Sequence, residues 1–332
     1  MTARPALSDL ARKAIGDLRR PSFPIDAPIR PGGPPDGYPL DRYPIDRYPI
    51  DLRPMTAGTV LDDEGLVVTR AATGDTYRNP VSISLYALGR HTSTLADRAD
   101  RADRAPAVQA LLAQANWLRA AQDGNGGWRY PVPVPRYGVR PGWYSAMAQG
   151  LAVSVMLRGY AATGQRSFLD AGGGATELML RPLAAGGCAE YDQRGRPFLE
   201  ECPSDPVSHI LNGAVFALFG LCELSRHQGG AIHEPAAERL GDSLADFDLG
   251  YWTRYDLRDS APATLAYHCL HVALLTAAGR VLADSRWLTM ASAWDRYPRN
   301  PALRLRAAAG KGLYVLRERH AACDQVPRRG RA

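Results

Sequence analysis

Pro106–Trp128, PAVQALLAQANWLRAAQDGNGGW, is the stretch whose reading decides the fold. Val108, Leu111, Leu112, Ala115 and Leu118 recur at spacings of three and four, which lays one apolar stripe along a helix. The stripe stops at Asp123-Gly124-Asn125-Gly126-Gly127, where glycines supply the positive φ that takes a chain out of a helix and Trp128 can cover a helix end. The same period predicts helices over 143–163, 165–180, 207–227, 234–246, 264–281, 284–295 and 301–318. Helices in sequential pairs, joined by short Gly- and Pro-bearing connections, predict a mainly α fold: an α/α toroid, or incomplete α/α barrel, with a short extended or β N-terminal region. Short strands are expected within 57–69, where Thr59-Val60-Leu61 and Leu66-Val67-Val68-Thr69 flank an acidic turn, and within 186–199.

The expected organisation is a Pro-rich leader of low complexity over 1–56, a short β or extended segment with a polar linker over 57–105, the helical domain over 106–320 and a basic tail over 321–332. Inside the leader, Tyr38–Arg42, Tyr43–Arg47 and Tyr48–Leu52 form a tandem pentad repeat with a proline in every unit. Such a repeat forbids a helix and predicts extended or polyproline II chain acting as filler. A second repeat, Ala-Asp-Arg three times over 96–104, suits either a helix or a polar tether.

The 332 residues carry a net charge of +6, with 45% hydrophobic and 22% charged residues. That balance, with a mean hydropathy of −0.26, fits a folded water-soluble protein rather than a disordered one. Lys13 and Lys311 are the only lysines, so 38 of the 40 basic residues are arginine. This bias explains most of the basicity, and no nucleic-acid partner is expected; arginine forks do suit carboxylates. The five cysteines (Cys188, Cys202, Cys222, Cys269, Cys323) include no C-x-x-C pair, which argues against a disulfide framework or structural zinc and for a reducing, cytoplasmic address. No signal peptide is read at the N-terminus, and no apolar run is long enough for a membrane span.

Phosphate-loop, dinucleotide, G-x-S-x-G and H-E-x-x-H motifs are absent. His268 and His271 share a helix face but lack a carboxylate partner at ligand spacing, so no metal is expected. Three segments crowd aromatic, acidic and amide groups beside small residues. They are Gly142-Trp143-Tyr144-Ser145-Ala146-Met147-Ala148-Gln149-Gly150; Glu200-Glu201-Cys202-Pro203-Ser204-Asp205-Pro206 with Ser208, Asn212 and Gly213; and Tyr255-Asp256-Leu257-Arg258 followed by Tyr267-His268-Cys269-Leu270-His271. Residue type alone leaves alternatives open. Glu200 and Glu201 could be solvated acids pointing to opposite sides, Tyr255 and Tyr267 core tyrosines, and Arg258 a partner of Asp256 or Asp259.

These segments resemble the C-terminal domain of the D-glucuronyl C5-epimerases, which act on heparosan and heparan precursors. The family's W-Y-S-A-M-A-Q-G is matched by Trp143–Gly150, eight consecutive residues. Its E-E-Y-P-T-x-P and following L-N-G correspond to Glu200–Pro206 and Leu211-Asn212-Gly213, its Y-D-L-R-H to Tyr255–Asp259, and its D-Y-H-x-x-H to the segment holding Tyr267-His268 and His271. Order and spacing agree over about 77–297. The resemblance implies an epimerase that inverts C5 of D-glucuronate residues in a glycan to L-iduronate, with a glucuronate-containing polysaccharide or oligosaccharide as partner and a homodimer left open. Carried across by position, it implies Tyr267 and Glu201 as the acid/base pair, Tyr255 as a supporting phenol in catalysis, and Arg258 as the carboxylate clamp. Tyr144, Gln149, Asn212 and His268 would bind substrate or orient these groups.

The chemistry asks for the same residue types. Removing a proton α to a carboxylate adds negative charge to an anion, so the site must neutralise that carboxylate and hold a base and an acid on opposite faces of C5. No cofactor is required. Two departures stand out: Cys202 replaces the tyrosine that follows the paired glutamates, and Asp259 replaces the histidine after Y-D-L-R. The family's large β-rich region is largely missing, and the link between Tyr255 and Tyr267 is short. A glycan-binding homologue without chemistry, or a uronate lyase on the same toroid, are the alternative readings.

Overall fold

The structure, a computed structural model, describes residues 47–71, 73–94, 101–259 and 261–324. The leader before Arg47, the Ala-Asp-Arg units before Arg101 and the last eight residues lie outside the described residues. Among these, nine α-helices carry the fold: α1 (Pro80–Thr94), α2 (Arg101–Ala121), α3 (Ala146–Thr163), α4 (Ser167–Leu180), α5 (Leu211–Gln228), α6 (Glu234–Ser243), α7 (Leu265–Val281), α8 (Ser285–Arg296) and α9 (Pro301–Asp324). Strands β1 (Val60–Leu61), β2 (Val67–Arg70) and β3 (Thr76–Tyr77) form an antiparallel sheet in that order, and β4 (Ala189–Tyr191) pairs with β5 (Pro197–Leu199). The fold is mainly α with short strands, as the periodicity predicts.

The helices fall into two rows. Helices α1, α3, α5 and α7 pack side by side in chain order, while α2, α4 and α8 pair with α1, α3 and α7 respectively. Helix α6 lies on β5. Helices α3 and α5 are the centre. From Ala146 to Gly159 and from Leu211 to Ser225 every residue is buried, so both helices are enclosed on all sides rather than along one stripe. Their axes approach closely because small residues meet: a Cβ on Gly150 would stand 2.5 Å from the Cα of Ala217, and one on Gly220 only 2.3 Å from the carbonyl oxygen of Gly150. Farther along, Arg158 of α3 makes a two-pronged salt bridge to Glu223 of α5 at 2.9 and 2.8 Å, with both side chains buried. Since Gly150 faces Ala217 and Gly220 while Arg158 faces Glu223, the two helices run parallel and their N-termini lie at the same end.

Local chemistry sets the ends. Ser145 caps α3, its Oγ accepting from the Ala148 amide at 3.3 Å, and Gly164 ends it at φ 71°. The glycine turn after α2 is held by Asp123, whose Oδ1 accepts from the Asn125 amide at 2.9 Å and the Gly127 amide at 3.3 Å. Gly126 packs so close to α4 that a Cβ would stand 2.2 Å from the Gly174 carbonyl oxygen. Trp128 folds back over the end of α2 and donates from Nε1 to the Leu118 carbonyl at 2.9 Å.

Two segments differ from expectation. Residues 80–94, read as extended chain and polar linker, form helix α1. Asn79 caps it by accepting from the Val81 amide at 3.0 Å, Pro80 occupies its first position, and Ile83, Ala87 and Leu88 are buried. Ser84 and Thr92 are buried on the same helix, and it is these hydroxyl residues that break the apolar stripe. The last pentad is not filler either. Tyr48, Ile50 and Leu52 are all 2% exposed or less, and Tyr48 meets Phe219 of α5 edge-on at 5.9 Å with the Arg158 guanidinium over its ring.

The α3–α5 contact can be tested directly. Gly220→Ala is expected to lower unfolding free energy by about 1–3 kcal/mol, because a methyl group there meets backbone that cannot give way. Gly173→Ala, on a helical glycine of α4 with open space around it, should instead raise stability by about 0.5–1 kcal/mol. Urea denaturation of both variants decides; equal effects would remove close packing as the reason for Gly220.

Candidate functional site

The site lies where the chain enters the central helices. The β4–β5 hairpin delivers the Glu200-Glu201 pair to this end: the Glu200 amide donates to the Cys188 carbonyl at 2.8 Å, and the Glu200 carbonyl accepts from the Ala146 amide at the start of α3 at 2.9 Å. Successive residues of extended chain point to opposite sides, so one carboxylate goes inward and the other outward. Glu200 is wholly buried, accepting from the Ser208 hydroxyl and the His209 amide, each at 3.1 Å, and burial pushes its carboxyl up to about 8. Glu201 faces the other way. Asn212 Nδ2 donates to its Oε2 at 3.2 Å, and the side chain lies across Gly213 of α5 so tightly that a Cβ there would stand 2.3 Å from Oε2. Burial pushes Glu201 up to about 7 against the lowering effect of Asn212. Neither glutamate is a solvated surface acid.

Tyrosines gather around Glu201. The rings of Tyr255 and Tyr267 meet edge-on at 4.7 Å, and the Tyr255 hydroxyl donates to that of Tyr267. Burial, and then the negative charge of Glu201, holds both phenols above their ordinary range. Burial also pushes up Tyr130 and then the Glu201 charge adds to it, while Tyr137 is raised by burial, by donating to Asp256 and only lastly by Glu201. The charge of this one carboxylate thus bears on four phenols, each raised above its ordinary range chiefly by burial. Tyr267 is open to solvent, at 39% exposure, while Tyr255 is half-buried behind it.

Arg258 lies on the rim. It lines a cleft of ≈ 440 Å³ with Tyr137, Arg140, Trp143 and Asp205, and its guanidinium sits 5.8 Å from the centre of the Tyr137 ring. Among the described residues Arg258 forms no salt bridge, because the acids beside it in sequence are taken. Arg136 Nη2 donates to Asp256 at 2.7 Å and to Asp259 at 3.1 Å, while Tyr137 donates to Asp256 at 2.6 Å and Tyr314 to Asp259 at 2.8 Å. The replaced histidine position, Asp259, therefore ties the segment 255–259 to α9. Cys202, at the replaced tyrosine position, is buried with Tyr137, Val139 and Ile210. Burial and the neighbouring carboxylates push its thiol up to about 12, so it is a small apolar filler rather than a donor.

The remaining expected site residues are placed elsewhere. Tyr144 donates to Asp123 Oδ2 at 2.6 Å, accepts from Asn125 at 3.1 Å and lines a second cleft of ≈ 320 Å³. Gln149 is fully buried beneath Gly127. His268 is fully buried too, stacked on Trp252 at 4.0 Å, donating from Nε2 to the Trp294 carbonyl at 3.1 Å and facing Thr253 Oγ1 from Nδ1 at 3.0 Å. Thr253 also lies 3.1 Å from His271 Nδ1, and burial lowers the two imidazoles to about 4 and about 3. Both are neutral core histidines. No group of three acidic, histidine or cysteine side chains among the described residues could hold a metal ion. The site also contains groups that motif reading passed over: Tyr137 and Arg136, and the Tyr130–Trp143 stack at 4.2 Å. Their signal is an arm of aromatic and basic residues between prolines, Tyr130 to Pro141, directly ahead of α3.

Residues 122–296 match the family described as D-glucuronyl C5-epimerase C-terminus. A D-glucuronyl C5-epimerase of Caenorhabditis elegans is 29% identical over 214 residues, which is 57% of this chain and 35% of that protein. An uncharacterized protein of Methanocaldococcus jannaschii is 24% identical over 136 residues, 39% of this chain and 44% of that protein. The chain thus spans less than half the length of either curated relative.

The environment of Glu201 makes a prediction about stability. Its carboxyl keeps a proton up to about 7 in the folded chain but releases it near 4.5 when unfolded, so its contribution to stability is full below that value and is lost as pH rises from 4.5 to 7. Glu201→Gln removes this loss. The variant should gain on the parent by about 1–3 kcal/mol across that window and run parallel above it. Unfolding free energies at pH 4.5, 6 and 8 check this, and a constant offset would refute the buried environment.

Proposed function

The chain belongs to the D-glucuronyl C5-epimerase C-terminal family, and from that premise we propose that it inverts C5 of D-glucuronate residues in a glycan to L-iduronate by two-base proton transfer. The observation that carries the reading is Glu201, a carboxyl that burial pushes up to about 7 and whose charge bears on the Tyr255 and Tyr267 phenols, while Arg258, with no salt bridge among the described residues, lines the cleft that Pro203 and Ser204 border. We read the alternating helix rows as the α/α toroid on which such a site is built.

The chemistry follows from those groups. Arg258 receives the uronate carboxylate and offsets its charge. Glu201, ionised, removes the C5 proton, and the electron pair left on C5 delocalises into the carboxylate as an enolate. Tyr267 gives its proton to the opposite face of C5 and becomes a phenolate, which the Tyr255 hydroxyl stabilises by donating to it. Exchange with solvent resets both groups, and the reverse reaction exchanges their roles. Asn212 acts on Glu201 by holding Oε2, and Asp256 with Arg136 fixes the segment that presents Arg258.

One observation favours a second reading. With Cys202 buried where a phenol is expected, a chain that binds an acidic glycan without turning it over would keep Arg258 and lose proton transfer. A lyase would share the first proton abstraction but expel the C4 substituent.

Incubation with heparosan in D₂O separates the three. Deuterium at C5 without chain cleavage is the expected result; an unsaturated, ultraviolet-absorbing product indicates a lyase, and binding without exchange the inert homologue. Tyr267→Phe should lower exchange at least about 100-fold. In the parent protein kcat/KM should rise with pH through about 7, as Glu201 ionises, and Glu201→Gln should abolish exchange. A Tyr267→Phe rate near the parent's would remove Tyr267 from the acid/base role.

A further inference from the structure

The cleft beneath Arg258 does not end at Trp143. Gly142, Trp143 and Pro203 form a wall shared with the second cleft, which Tyr144, Arg129 and Arg181 line on its far side. Each cleft therefore has two arginines: Arg140 and Arg258 in the first, Arg129 and Arg181 in the second. Asp205 is the one acidic residue lining the first cleft, and the second has none among the described residues lining it. Arg181 forms no salt bridge among the described residues. Arg129 is half-engaged: its Nε lies 3.3 Å from Asp123, Nη1 donates to the Gly142 carbonyl at 3.0 Å, and its guanidinium lies over the Tyr144 ring at 4.7 Å.

The wall between the clefts is rigid. Trp143 stacks on Tyr130 at 4.2 Å and donates from Nε1 to the Val132 carbonyl at 2.8 Å, which fixes its ring as a partly exposed aromatic platform. Tyr144 is fixed by Asp123 and Asn125, and Gly187 sits against Arg181 so closely that a Cβ would stand 2.0 Å from the Arg181 carbonyl oxygen. A platform between two basic depressions suits a chain of sugars that crosses an apolar face and sets an anion on each side of it.

We propose that the second cleft is a separate anion subsite, in which Arg181, with Arg129, holds a second acidic group of the same glycan across Trp143 from the residue at Arg258. This rests on the uronate reading of the first cleft. The anion is a carboxylate of another uronate or a sulfate, and either would satisfy an arginine fork. The consequence is a length requirement. A glycan reaching both clefts engages both pairs of arginines, and one too short to cross Trp143 engages only the first.

The test compares the parent protein with Arg181→Gln and Arg181→Lys on heparosan oligosaccharides of increasing length, using both calorimetric titration and C5 exchange in D₂O. The expected result is that Arg181→Gln weakens binding of long oligosaccharides about tenfold and raises their KM with kcat unchanged. The shortest oligosaccharide that binds should be unaffected, and Arg181→Lys should recover part of the loss on long ones. N-sulfated oligosaccharides of equal length identify the anion: a length effect seen only with them assigns the subsite to sulfate, and one seen with both assigns it to the carboxylate. Arg181→Gln with unchanged affinity at every length, in a protein that exchanges C5, overturns the second subsite alone. Arg181-dependent binding without any exchange overturns the epimerase reading alone. Absence of binding to every oligosaccharide by the parent overturns both.

Discussion

The contact between α3 and α5 at Gly150, Ala217 and Gly220 is the constraint on which the site depends. Backbone meets backbone there, and no side chain stands between the two axes to absorb an error. Lower down, the buried Arg158–Glu223 pair fixes rotation and register, because a two-pronged guanidinium–carboxylate bond tolerates little of either. Two parallel helices locked in this way must present their first turns side by side. Ser145 and Ala146 of one, and Asn212 and Gly213 of the other, form a floor whose spacing is set by the interior.

Glu200 and Glu201 use that floor in opposite senses. The Glu200 backbone is stapled to the first amide of α3, and its side chain is sunk among Ser208 and the His209 amide. That anchoring leaves the next residue no freedom of direction, so Glu201 is driven across Gly213. A side chain at 213 would push it off, and Asn212 donates to the same oxygen, Oε2, that lies against Gly213. The raised carboxyl of Glu201 is therefore a consequence of packing rather than of a special charge partner. The phenols respond to it: the nearby carboxylate adds to the rise that burial already gives Tyr255 and Tyr267.

Much of this was legible in the residues. The three- and four-residue period gave helices α2 to α9, and the glycine turn after α2 is closed by Asp123 as its composition suggests. Glu201, Asn212, Tyr255 and Tyr267 converge, although Tyr144, Gln149 and His268 do not join them. His268 illustrates why. A histidine beside a tyrosine on a helix can face a cleft or the core, and a fraction of a turn of helix rotation decides; here Trp252 and the Trp294 carbonyl claim it. Helix α1 was hidden for a different reason, since Ser84 and Thr92 sit at buried positions and dilute the apolar stripe. The burial of Tyr48, Ile50 and Leu52 was equally invisible, because a proline repeat has the same composition whether it packs or not.

Asp259 and Cys202, the two departures from the family pattern, both lie in the surroundings of Arg258. A histidine at 259 could not supply the carboxylate that Asp259 gives to Arg136 and Tyr314, and Arg136 would then lean on Asp256 alone. With both acids engaged, the charge of Arg136 is offset locally and the neighbouring Arg258 is left to the cleft. Cys202 works from the other side. A phenol at that position would need room beside Tyr137, Val139 and Ile210, where the thiol packs, and Tyr137 donates its hydroxyl to Asp256. Tyr137 is thus both a donor to the buried Asp256 and the ring beneath the Arg258 guanidinium. The guanidinium of Arg258 is left to the cleft because Arg136, Tyr137 and Tyr314 take up the acids on either side of it in the chain.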